Sequence, residues 1–234
     1  MKALLLAAGL GTRLRPLTDT IPKCLVPING KVLLEYWLEN LIEVGVNEIL
    51  INTSYLSEQV NDFINHSIYK QYVTVVHEDR LLNTGGTVLS NKSFFGDEPF
   101  LLIHADNLSI FNFKDFIDTY LRKPSYCEMT MMLFNSDNPT SCGIVKLDEY
   151  NVVQEFHEKV QNPPSTLANA AVYICSPNIF KFLESLNKEE IDFSTEVVPK
   201  FVGKINTYLN NQYHRDIGTI ESYAISQIEI LSFT

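Results

Sequence analysis

The chain has 234 residues, of which 45% are apolar and 20% are charged, and its mean hydropathy is close to zero. This composition is typical of a globular protein and excludes a disordered or collagen-like chain. The apolar runs are much shorter than the roughly 20 residues that span a bilayer, so no membrane-spanning helix is expected. The start of the chain also lacks the cleavage site of a secretory signal peptide, and we therefore expect a cytoplasmic protein.

The net charge of −10 opposes non-specific binding to nucleic acids or anionic membranes, so neither is expected as a partner. A polyanionic substrate would need a locally basic site. The four cysteines are Cys24, Cys127, Cys142 and Cys175, and no two of them have the spacing of metal ligands. This pattern predicts reduced, buried thiols rather than disulfides or a zinc site.

In the first half of the chain, strand and helix patterns alternate. Apolar runs predict strands at residues 3–8, 48–53, 73–77 and 99–104, and helical spacing predicts helices at 33–44, from 57 and at 85–89. Strands that are separated by helical crossovers indicate a mostly parallel sheet that is covered by helices. In such sheets, ligands bind beyond the carboxyl ends of the strands.

The second half of the chain is richer in strands. Predicted strands at 127–134, 143–147, 152–157, 168–175 and 205–209 are accompanied by helices at 178–186, at 195–202 and from 219 to about 231. We therefore expect a single α/β domain over 1–234. A nucleotide-type half at about 1–125 would be followed by a small β-rich half at about 126–234 that closes the other side of a cleft.

A loop that contains Gly9 and Gly11 directly follows the first predicted strand, and glycines let backbone amides approach a phosphate closely. The loop is neither a P-loop nor the dinucleotide fingerprint, and alone it is equally compatible with a plain tight turn. Arg13, Arg15 and Lys23 lie within the same short stretch of an acidic protein. These cations favour a polyphosphate site over a solvated basic face.

Four further polar residues lie at predicted strand ends or before the last helix. Asp106 follows a buried strand and suits Mg²⁺, although a capping role is the alternative. Asp216, taken alone, is an ordinary helix-capping residue. Glu158 and Lys159 end a strand, where they are either a surface pair or an acceptor for a hydroxyl group beside a partner for a phosphate.

Five segments together resemble the motifs of sugar-1-phosphate nucleotidylyltransferases, in that family's order and across nearly the whole chain. The segments are 6–18 with its continuation 21–30, Asn83-Thr84-Gly85-Gly86-Thr87, His104-Ala105-Asp106-Asn107, Phe156-His157-Glu158-Lys159 and Asp216-Ile217-Gly218-Thr219. The resemblance implies a Rossmann-like, nucleotide-diphospho-sugar transferase fold. It also implies an enzyme that makes an NDP-sugar and pyrophosphate from an NTP and a sugar 1-phosphate.

The resemblance also implies a role for each matching residue. The catalytic residues would be Arg13, Lys23 and Asp106, and Mg²⁺ would be the cofactor, bound by Asp106 and Asp216. The nucleotide would be bound by Leu6, Ala8, Gly9, Gly11, Thr12, Arg13, Lys23, Thr84, Gly85, Gly86 and Asp106. The sugar phosphate would be bound by Asn107, Gly143, Glu158, Lys159 and Asn169.

The motif run looks most like guanylyltransferases for mannose or manno-heptose 1-phosphate, which favours GTP and a pathway to cell-surface polysaccharide. A uridylyl- or cytidylyltransferase is the alternative, and a glycosyltransferase or a catalytically silent subunit is less favoured. Val160 and Ala171 stand where the family often has proline and glycine, which leaves the local turns open. We expect no left-handed β-helix domain, and a homo-oligomer is left open.

Overall fold

The structure is a computed structural model that describes residues 1–233. Its longer elements are seven α-helices and thirteen strands within those residues. The helices are α1 (Leu33–Glu43), α2 (Ser57–His66), α3 (Asn83–Ser90), α4 (Lys92–Phe95), α5 (Phe113–Leu121), α6 (Ile179–Ser185) and α7 (Ile220–Glu229). The strands are β1 (Lys2–Leu6), β2 (Pro27–Ile28), β3 (Lys31–Val32), β4 (Ile49–Thr53), β5 (Val73–His77), β6 (Phe100–His104), β7 (Asn107–Ile110), β8 (Met129–Asn135), β9 (Gly143–Leu147), β10 (Val153–Glu158), β11 (Leu167–Cys175), β12 (Ile205–Leu209) and β13 (Tyr213–Asp216).

Two compact units make up the chain, and both are assembled from separate segments. The first unit contains residues 1–81, 103–111 and 212–233, and the second contains 82–102 and 112–211. The boundary between the two units therefore does not coincide with the predicted boundary between two halves near residue 125. The single domain over 1–234, with its two functional halves, stays a prediction.

A parallel sheet forms the centre of the first unit. Strands β1, β4 and β5 pair in parallel, with Leu5 opposite Ile51 and Ile51 opposite Val75. Strand β4 is buried along its whole length, as expected for a strand that is covered on both faces. Helix α1 buries Leu34, Trp37, Leu38 and Leu41, whose helical spacing places them on one apolar stripe.

A two-stranded antiparallel ladder of β7 and β13 completes the first unit, and neither strand was predicted. Leu108 on β7 and Ile217 after β13 belong to one buried cluster with Leu14, Val26, Ile28, Leu33, Tyr36 and Ile230. The ladder is therefore anchored in the same apolar core as the glycine loop and helix α1.

The second unit contains a mixed sheet. Strand β8 pairs in parallel with β12 and antiparallel with β11, and β9 pairs antiparallel with both β10 and β11. Strand β11 carries a bulge between Asn169 and Tyr173, where its register with β8 shifts. The predicted hairpin of β9 and β10 is confirmed, as is the predicted α/β class with a mixed sheet and flanking helices.

One predicted helix is wrong. In place of a helix at 195–202, the chain forms a π-helical turn at Phe193–Val197 and a 3₁₀ turn at Val198–Lys200. Pro199 lacks the backbone N–H that a regular α-helix would need there. Helix α5 was not predicted. Among residues 1–233, no helix combines the length and the apolar content that crossing a membrane requires.

Candidate active site

The glycine loop follows the carboxyl end of β1. Leu6, the last residue of the strand, and Ala8, just beyond it, are both buried. Gly11 has a φ of +62° and begins the 3₁₀ turn at Thr12–Leu14. A Cβ atom at Gly11 would lie 3.0 Å from Thr18 Cγ2, and the Thr18 hydroxyl donates to the Gly11 carbonyl at 2.7 Å. Both the backbone angle and the close approach of Thr18 therefore require glycine at this position.

Lys23 is the central cation of the first unit. Its side chain is only 7% exposed, and its Nζ lies 2.7 Å from Asp106 Oδ2 and 3.3 Å from Asp216 Oδ1. Burial alone lowers the pKa of Lys23, but the charges and hydrogen bonds of the two carboxylates together raise it above 10.5. Lys23 is therefore held as a cation at neutral pH.

Asp106 lies in the turn between β6 and β7, where its side chain bonds Lys23 rather than capping a helix. Burial raises the pKa of Asp106, but the Lys23 charge and hydrogen bond outweigh that effect and lower it to about 2. Because the Asp106 side chain remains 39% exposed, its carboxylate can be ionised and still be reached by a ligand.

The ladder of β7 and β13 brings Asp216 to Asp106, although Lys23 is 83 residues from one aspartate and 193 from the other. Asp216 pairs with Asn107 in the ladder, and the Ile217 N–H donates to the Asp106 carbonyl at 3.3 Å. Thr219, not Asp216, caps α7 by accepting the Ser222 N–H at 3.1 Å. The capping interpretation of Asp216 is therefore wrong.

Arg13 reaches the Asp216 carboxylate from the glycine loop. Its Nη2 lies 3.7 Å from Asp216 Oδ2, and its side chain is mostly exposed. Gly218 makes this approach possible, because a Cβ there would lie 2.6 Å from Asp216 Oδ2 and 3.0 Å from Arg13 Nη2. The first unit thus combines two cations and two carboxylates beside the glycine loop.

Buried side chains of the first unit support the ladder. The Trp37 indole donates to the Asn107 carbonyl at 2.8 Å, and Ser109 Oγ lies 2.6 Å from His214 Nδ1. Burial lowers the pKa of His214 to about 3, so this imidazole is neutral. Asn107 was expected at the sugar phosphate, but it is buried in the first unit. The other four predicted sugar-phosphate residues belong to the second unit.

The sequence offered no signal for one further residue of the first unit. Asn52 is buried at the carboxyl end of β4, and its Oδ1 accepts the Ala7 N–H at 2.9 Å. Its Nδ2 donates to Glu78 Oε1 at 3.0 Å, just after β5. A strand-end asparagine looks like an ordinary turn residue in the sequence, so only the fold identifies this link.

In the second unit, Thr84, Gly85 and Gly86 form the first turn of α3. The N–H groups of Gly85 and Gly86 both donate to the Ile191 carbonyl, at 2.7 and 3.1 Å. A Cβ at Gly86 would lie 2.1 Å from the Glu189 carbonyl oxygen. The close approach of the 189–191 segment therefore explains both glycines. Because both N–H groups are already hydrogen-bonded, a nucleotide would have to contact Gly85 and Gly86 through other atoms of these residues.

The hairpin of β9 and β10 carries three of the predicted sugar-phosphate residues. Gly143 pairs with Glu158, and a Cβ at Gly143 would lie 2.6 Å from both Glu158 Oε2 and Phe156 Cζ. Lys159 has a φ of +49°, and its N–H donates to the Cys142 carbonyl at 3.0 Å. Its Nζ lies 3.4 Å from Glu158 Oε1, while the side chain is 66% exposed. The hairpin thus presents a carboxylate and an accessible cation side by side.

Asn169 lies at the bulge of β11. Its Nδ2 donates to the Tyr173 hydroxyl at 2.6 Å, and its Oδ1 accepts the Ala171 N–H at 3.0 Å. Ala171 has a φ of +54°, in the left-handed region that glycine adopts freely. Alanine therefore forms this bulge in a backbone conformation that favours glycine.

The donor set of the first unit fits Mg²⁺. This ion takes one or two protein carboxylates and completes its shell with water and phosphate oxygens. Asp106 and Asp216 each place an oxygen within 3.3 Å of the same Lys23 nitrogen, so they converge on one cationic position. Within residues 1–233, no cluster of three or more His, Cys, Asp or Glu side chains is arranged for a metal. The two aspartates would therefore bind the ion together with substrate and water.

Comparison with known proteins shows which family the chain resembles in sequence. The family model described as nucleotidyl transferase matches residues 2–232. The chain is 30% identical over 211 residues to the mannose-1-phosphate guanylyltransferase catalytic subunit beta of Drosophila melanogaster, covering 88% of this chain and 56% of that protein. It is 35% identical over 190 residues to a bifunctional sugar-1-phosphate nucleotidylyltransferase/acetyltransferase of Sulfurisphaera tokodaii, covering 81% and 44%. The chain thus spans about half the length of these curated relatives.

Among solved structures, HddC from Yersinia pseudotuberculosis complexed with GMP-PN superposes with a TM-score of 0.81 at 26% identity, covering 98% of this chain and 99% of that one. Another curated relative is named as a glucose-1-phosphate adenylyltransferase, so membership of the family alone does not select a base. The match of the family model over nearly the full length shows that the chain belongs to the nucleotidyl transferase family.

Proposed function

We propose that the chain transfers a nucleotidyl group from an NTP to a sugar 1-phosphate and releases pyrophosphate. The observation that carries this proposal is the convergence of Asp106 and Asp216 on Lys23, beside a glycine loop that also supplies Arg13. Such a group of charges suits a triphosphate and its metal ion. In the second unit, Lys159 and Glu158 offer the cation and the acceptor that a phosphorylated sugar needs.

The reaction requires no covalent enzyme intermediate. An oxygen of the sugar phosphate attacks the α-phosphorus in line with the departing pyrophosphate, and the enzyme contributes positioning and charge stabilisation. Lys23 acts at the α-phosphate, where its charge is already fixed by two carboxylates, and Arg13 acts along the triphosphate. Lys159 holds the sugar phosphate, and Glu158, Gly143 and Asn169 hold the sugar. Mg²⁺ at Asp106 and Asp216 would neutralise charge on the phosphates.

GTP with mannose or manno-heptose 1-phosphate is the favoured substrate pair. The motif pattern, the guanylyltransferase from Drosophila and the HddC complex with a guanine nucleotide support this choice. A uridylyl- or cytidylyltransferase with another phosphorylated substrate is the alternative. A cytoplasmic location, a role in cell-surface polysaccharide synthesis and a homo-oligomeric state are further parts of the proposal.

Pyrophosphate release on mixing each NTP with Mg²⁺ and a panel of sugar 1-phosphates tests the proposal. GTP should exceed UTP, CTP and dTTP by at least about tenfold in kcat/KM with the favoured sugars, which corresponds to one lost hydrogen-bonded pair. Asp106→Asn and Asp216→Asn should each remove most turnover without unfolding the protein.

Three results would contradict parts of the proposal. Preference for UTP or CTP with every sugar phosphate would refute guanylyl transfer but not nucleotidyl transfer. Near-normal turnover of either aspartate variant at ordinary Mg²⁺ would refute the metal assignment. Absence of pyrophosphate with every pair would refute the activity itself.

A further inference from the structure

A row of residues crosses three neighbouring strands of the second unit. Glu158 on β10 pairs with Gly143 on β9. The next residue of β9 is Ile144, which pairs with Ala168 on β11. Asn169, which follows Ala168, therefore lies on β11 beside Gly143. A Cβ at Gly143 would lie 2.6 Å from Glu158 Oε2, so the carboxylate extends over the glycine toward the strand that carries Asn169.

The amide orientation of Asn169 is fixed by two hydrogen bonds. Its Oδ1 accepts the Ala171 N–H at 3.0 Å, and its Nδ2 donates to the Tyr173 hydroxyl at 2.6 Å. A backbone N–H can only donate, so the amide oxygen must face Ala171 and the amino group must face Tyr173. The Tyr173 hydroxyl is therefore the acceptor that completes this orientation.

Tyr173 is itself held inside the second unit. It is 0% exposed, and its ring centroid lies 5.0 Å from that of Phe193 in the π-helical turn. Burial raises the pKa of Tyr173, so the hydroxyl is neutral, and the Ser194 side chain also hydrogen-bonds it. The Phe193 N–H in turn donates to Thr84 Oγ1 at 2.8 Å. Tyr173 is therefore fixed by its surroundings, and its burial keeps it from contacting a ligand directly.

Asn169 keeps hydrogen-bonding capacity for a ligand, and it remains partly exposed. An asparagine amide has two N–H donors and an oxygen with two lone pairs, and the two contacts within the fold use one donor and one lone pair. One hydroxyl group can accept from the remaining N–H and donate to the remaining lone pair. The oxygens of Glu158 provide acceptors for a neighbouring hydroxyl. The two side chains together therefore suit a molecule with adjacent hydroxyl groups, such as a sugar ring.

We propose that Tyr173 is a positioning residue that acts through Asn169. Its hydroxyl holds the Asn169 amide in the orientation that binds a hydroxyl group of the sugar beside Glu158, and Tyr173 itself does not touch the sugar. This inference rests on the proposed function and deepens it, because it adds a buried residue to the site that recognises the sugar.

Calorimetric dissociation constants of nucleotide sugars test the inference on the full chain with Mg²⁺. GDP-mannose is compared with GDP, and UDP-glucose with UDP, in the absence of pyrophosphate so that no reaction occurs. The affinity ratio within the pair that wild type distinguishes better measures what the sugar contributes. Tyr173→Phe should lower this ratio about three- to tenfold, as for the loss of one neutral hydrogen bond. The affinity for the nucleoside diphosphate alone should change by less than about twofold.

A double variant separates positioning from a general loss of packing. Because Tyr173 acts through Asn169, adding Tyr173→Phe to Asn169→Ala should lower the ratio by no more than about a further twofold, whereas independent effects would multiply. Tyr208→Phe on β12 is the matched control, since it also removes a tyrosine hydroxyl of the second unit, one that donates to the Asn112 carbonyl. The control should keep the wild-type ratio, and thermal melts verify folding.

Three binding results would overturn the inference: a wild-type ratio in folded Tyr173→Phe, losses that multiply in the double variant, or a wild type that binds neither nucleotide sugar more tightly than its diphosphate. Failure of Tyr173→Phe to fold would also overturn it, because the hydroxyl would then serve the fold. The expected ratios without pyrophosphate release from any pair of NTP and sugar 1-phosphate would refute the proposed function and leave this inference standing. Turnover with an unchanged ratio in Tyr173→Phe would do the opposite.

Discussion

The charged groups of the two units are held in different ways. In the first unit, Lys23 is buried and bonded to two aspartates that are distant in the sequence, and a ladder anchored in the apolar core brings these aspartates together. In the second unit, Glu158 and Lys159 are neighbours at the end of one strand, and the Lys159 side chain is largely exposed. The first group is held by buried contacts within the protein, whereas the Lys159 side chain is largely exposed and has one contact with an adjacent carboxylate.

This difference indicates how each group would contribute to the reaction. Charges that are fixed in advance stabilise a transition state without reorganisation, whereas we expect an exposed lysine on a hairpin mainly to add substrate affinity. Substitutions in the first unit should therefore lower kcat and affect stability. Substitutions at the hairpin should raise KM and leave stability nearly unchanged.

The largest effect is expected for Lys23→Met, which leaves Asp106 and Asp216 without their shared cation. Turnover should fall by about 10² to 10³, as for loss of a group that stabilises charge in the transition state. Removing one partner of a fully buried pair costs about 3–5 kcal/mol, and the exposure of the aspartates reduces the expected loss to about 1–3 kcal/mol.

Chemical denaturation measures the expected loss of unfolding free energy. Mg²⁺ should also raise the melting temperature of Lys23→Met more than that of the wild type, because the ion replaces the missing cation. Lys146→Met is the matched control, since it breaks an exposed pair with Glu155 on the hairpin. Equal losses of stability in the two variants would remove the proposed distinction between the units.

A smaller effect is expected for Gly218→Ala. The new Cβ would lie 2.6 Å from Asp216 Oδ2 and 3.0 Å from Arg13 Nη2, so Asp216 must turn away from its present position. Both atoms end flexible side chains, so the stability loss should stay below about 1 kcal/mol. Turnover should fall by about tenfold to a hundredfold, because a small misplacement of a positioned group is costly.

Steady-state kinetics measure the loss of turnover in Gly218→Ala, and a denaturation curve measures its loss of stability. Gly9→Ala is a control for folding only, because no atom lies within 4 Å of the Cβ that it adds. Unchanged turnover in folded Gly218→Ala would show that the precise position of Asp216 is unimportant.

Lys159→Ala should raise the KM for the sugar phosphate by about tenfold, with kcat within about threefold of wild type. Its free energy of unfolding should change by less than about 0.5 kcal/mol, because the contact with Glu158 is largely exposed. Lys23→Ala should show the opposite kinetic pattern, with kcat as the main change. The finding that Lys159→Ala chiefly lowers kcat would place this lysine with the preorganised charges.

The smallest effect is expected for Ala171→Gly at the bulge of β11. Relief of the left-handed conformation should gain about 1–2 kcal/mol, and the extra backbone freedom of glycine in the unfolded chain should return about 0.5–1 kcal/mol. The variant should therefore be more stable by roughly 0.5 kcal/mol, as a urea titration can measure. A clear loss of stability would mean that the Ala171 methyl group packs favourably enough to outweigh its backbone strain.

Local patterns in the sequence were sufficient for the parallel strands, for helices α1 and α6 and for the hairpin. They also located the glycine loop and placed Asp106 after a buried strand, whereas Asp216 was singled out only by the resemblance to the family. The other features each depend on a short run of residues whose spacing or turn chemistry is visible without the fold.

The relationship between the motifs could not be predicted in the same way. Strands β7 and β13 have only four residues each, and patterns this short do not indicate that Asn107 pairs with Asp216. The link from Asn52 to Glu78 similarly depends on the parallel register of β4 with β5. Both contacts are long-range, and pairing geometry rather than local propensity decides them.

The hydrogen bond from Trp37 to Asn107 also has a practical consequence. Trp37 is the one tryptophan of the 234-residue sequence, it is 1% exposed, and its indole bonds the residue directly after Asp106. With excitation at wavelengths that the 11 tyrosines do not absorb, the emission therefore comes from a single buried tryptophan next to the proposed metal site. Titrations with Mg²⁺ or a nucleotide can follow this emission without any label, and the carboxylate variants can be compared by the same signal.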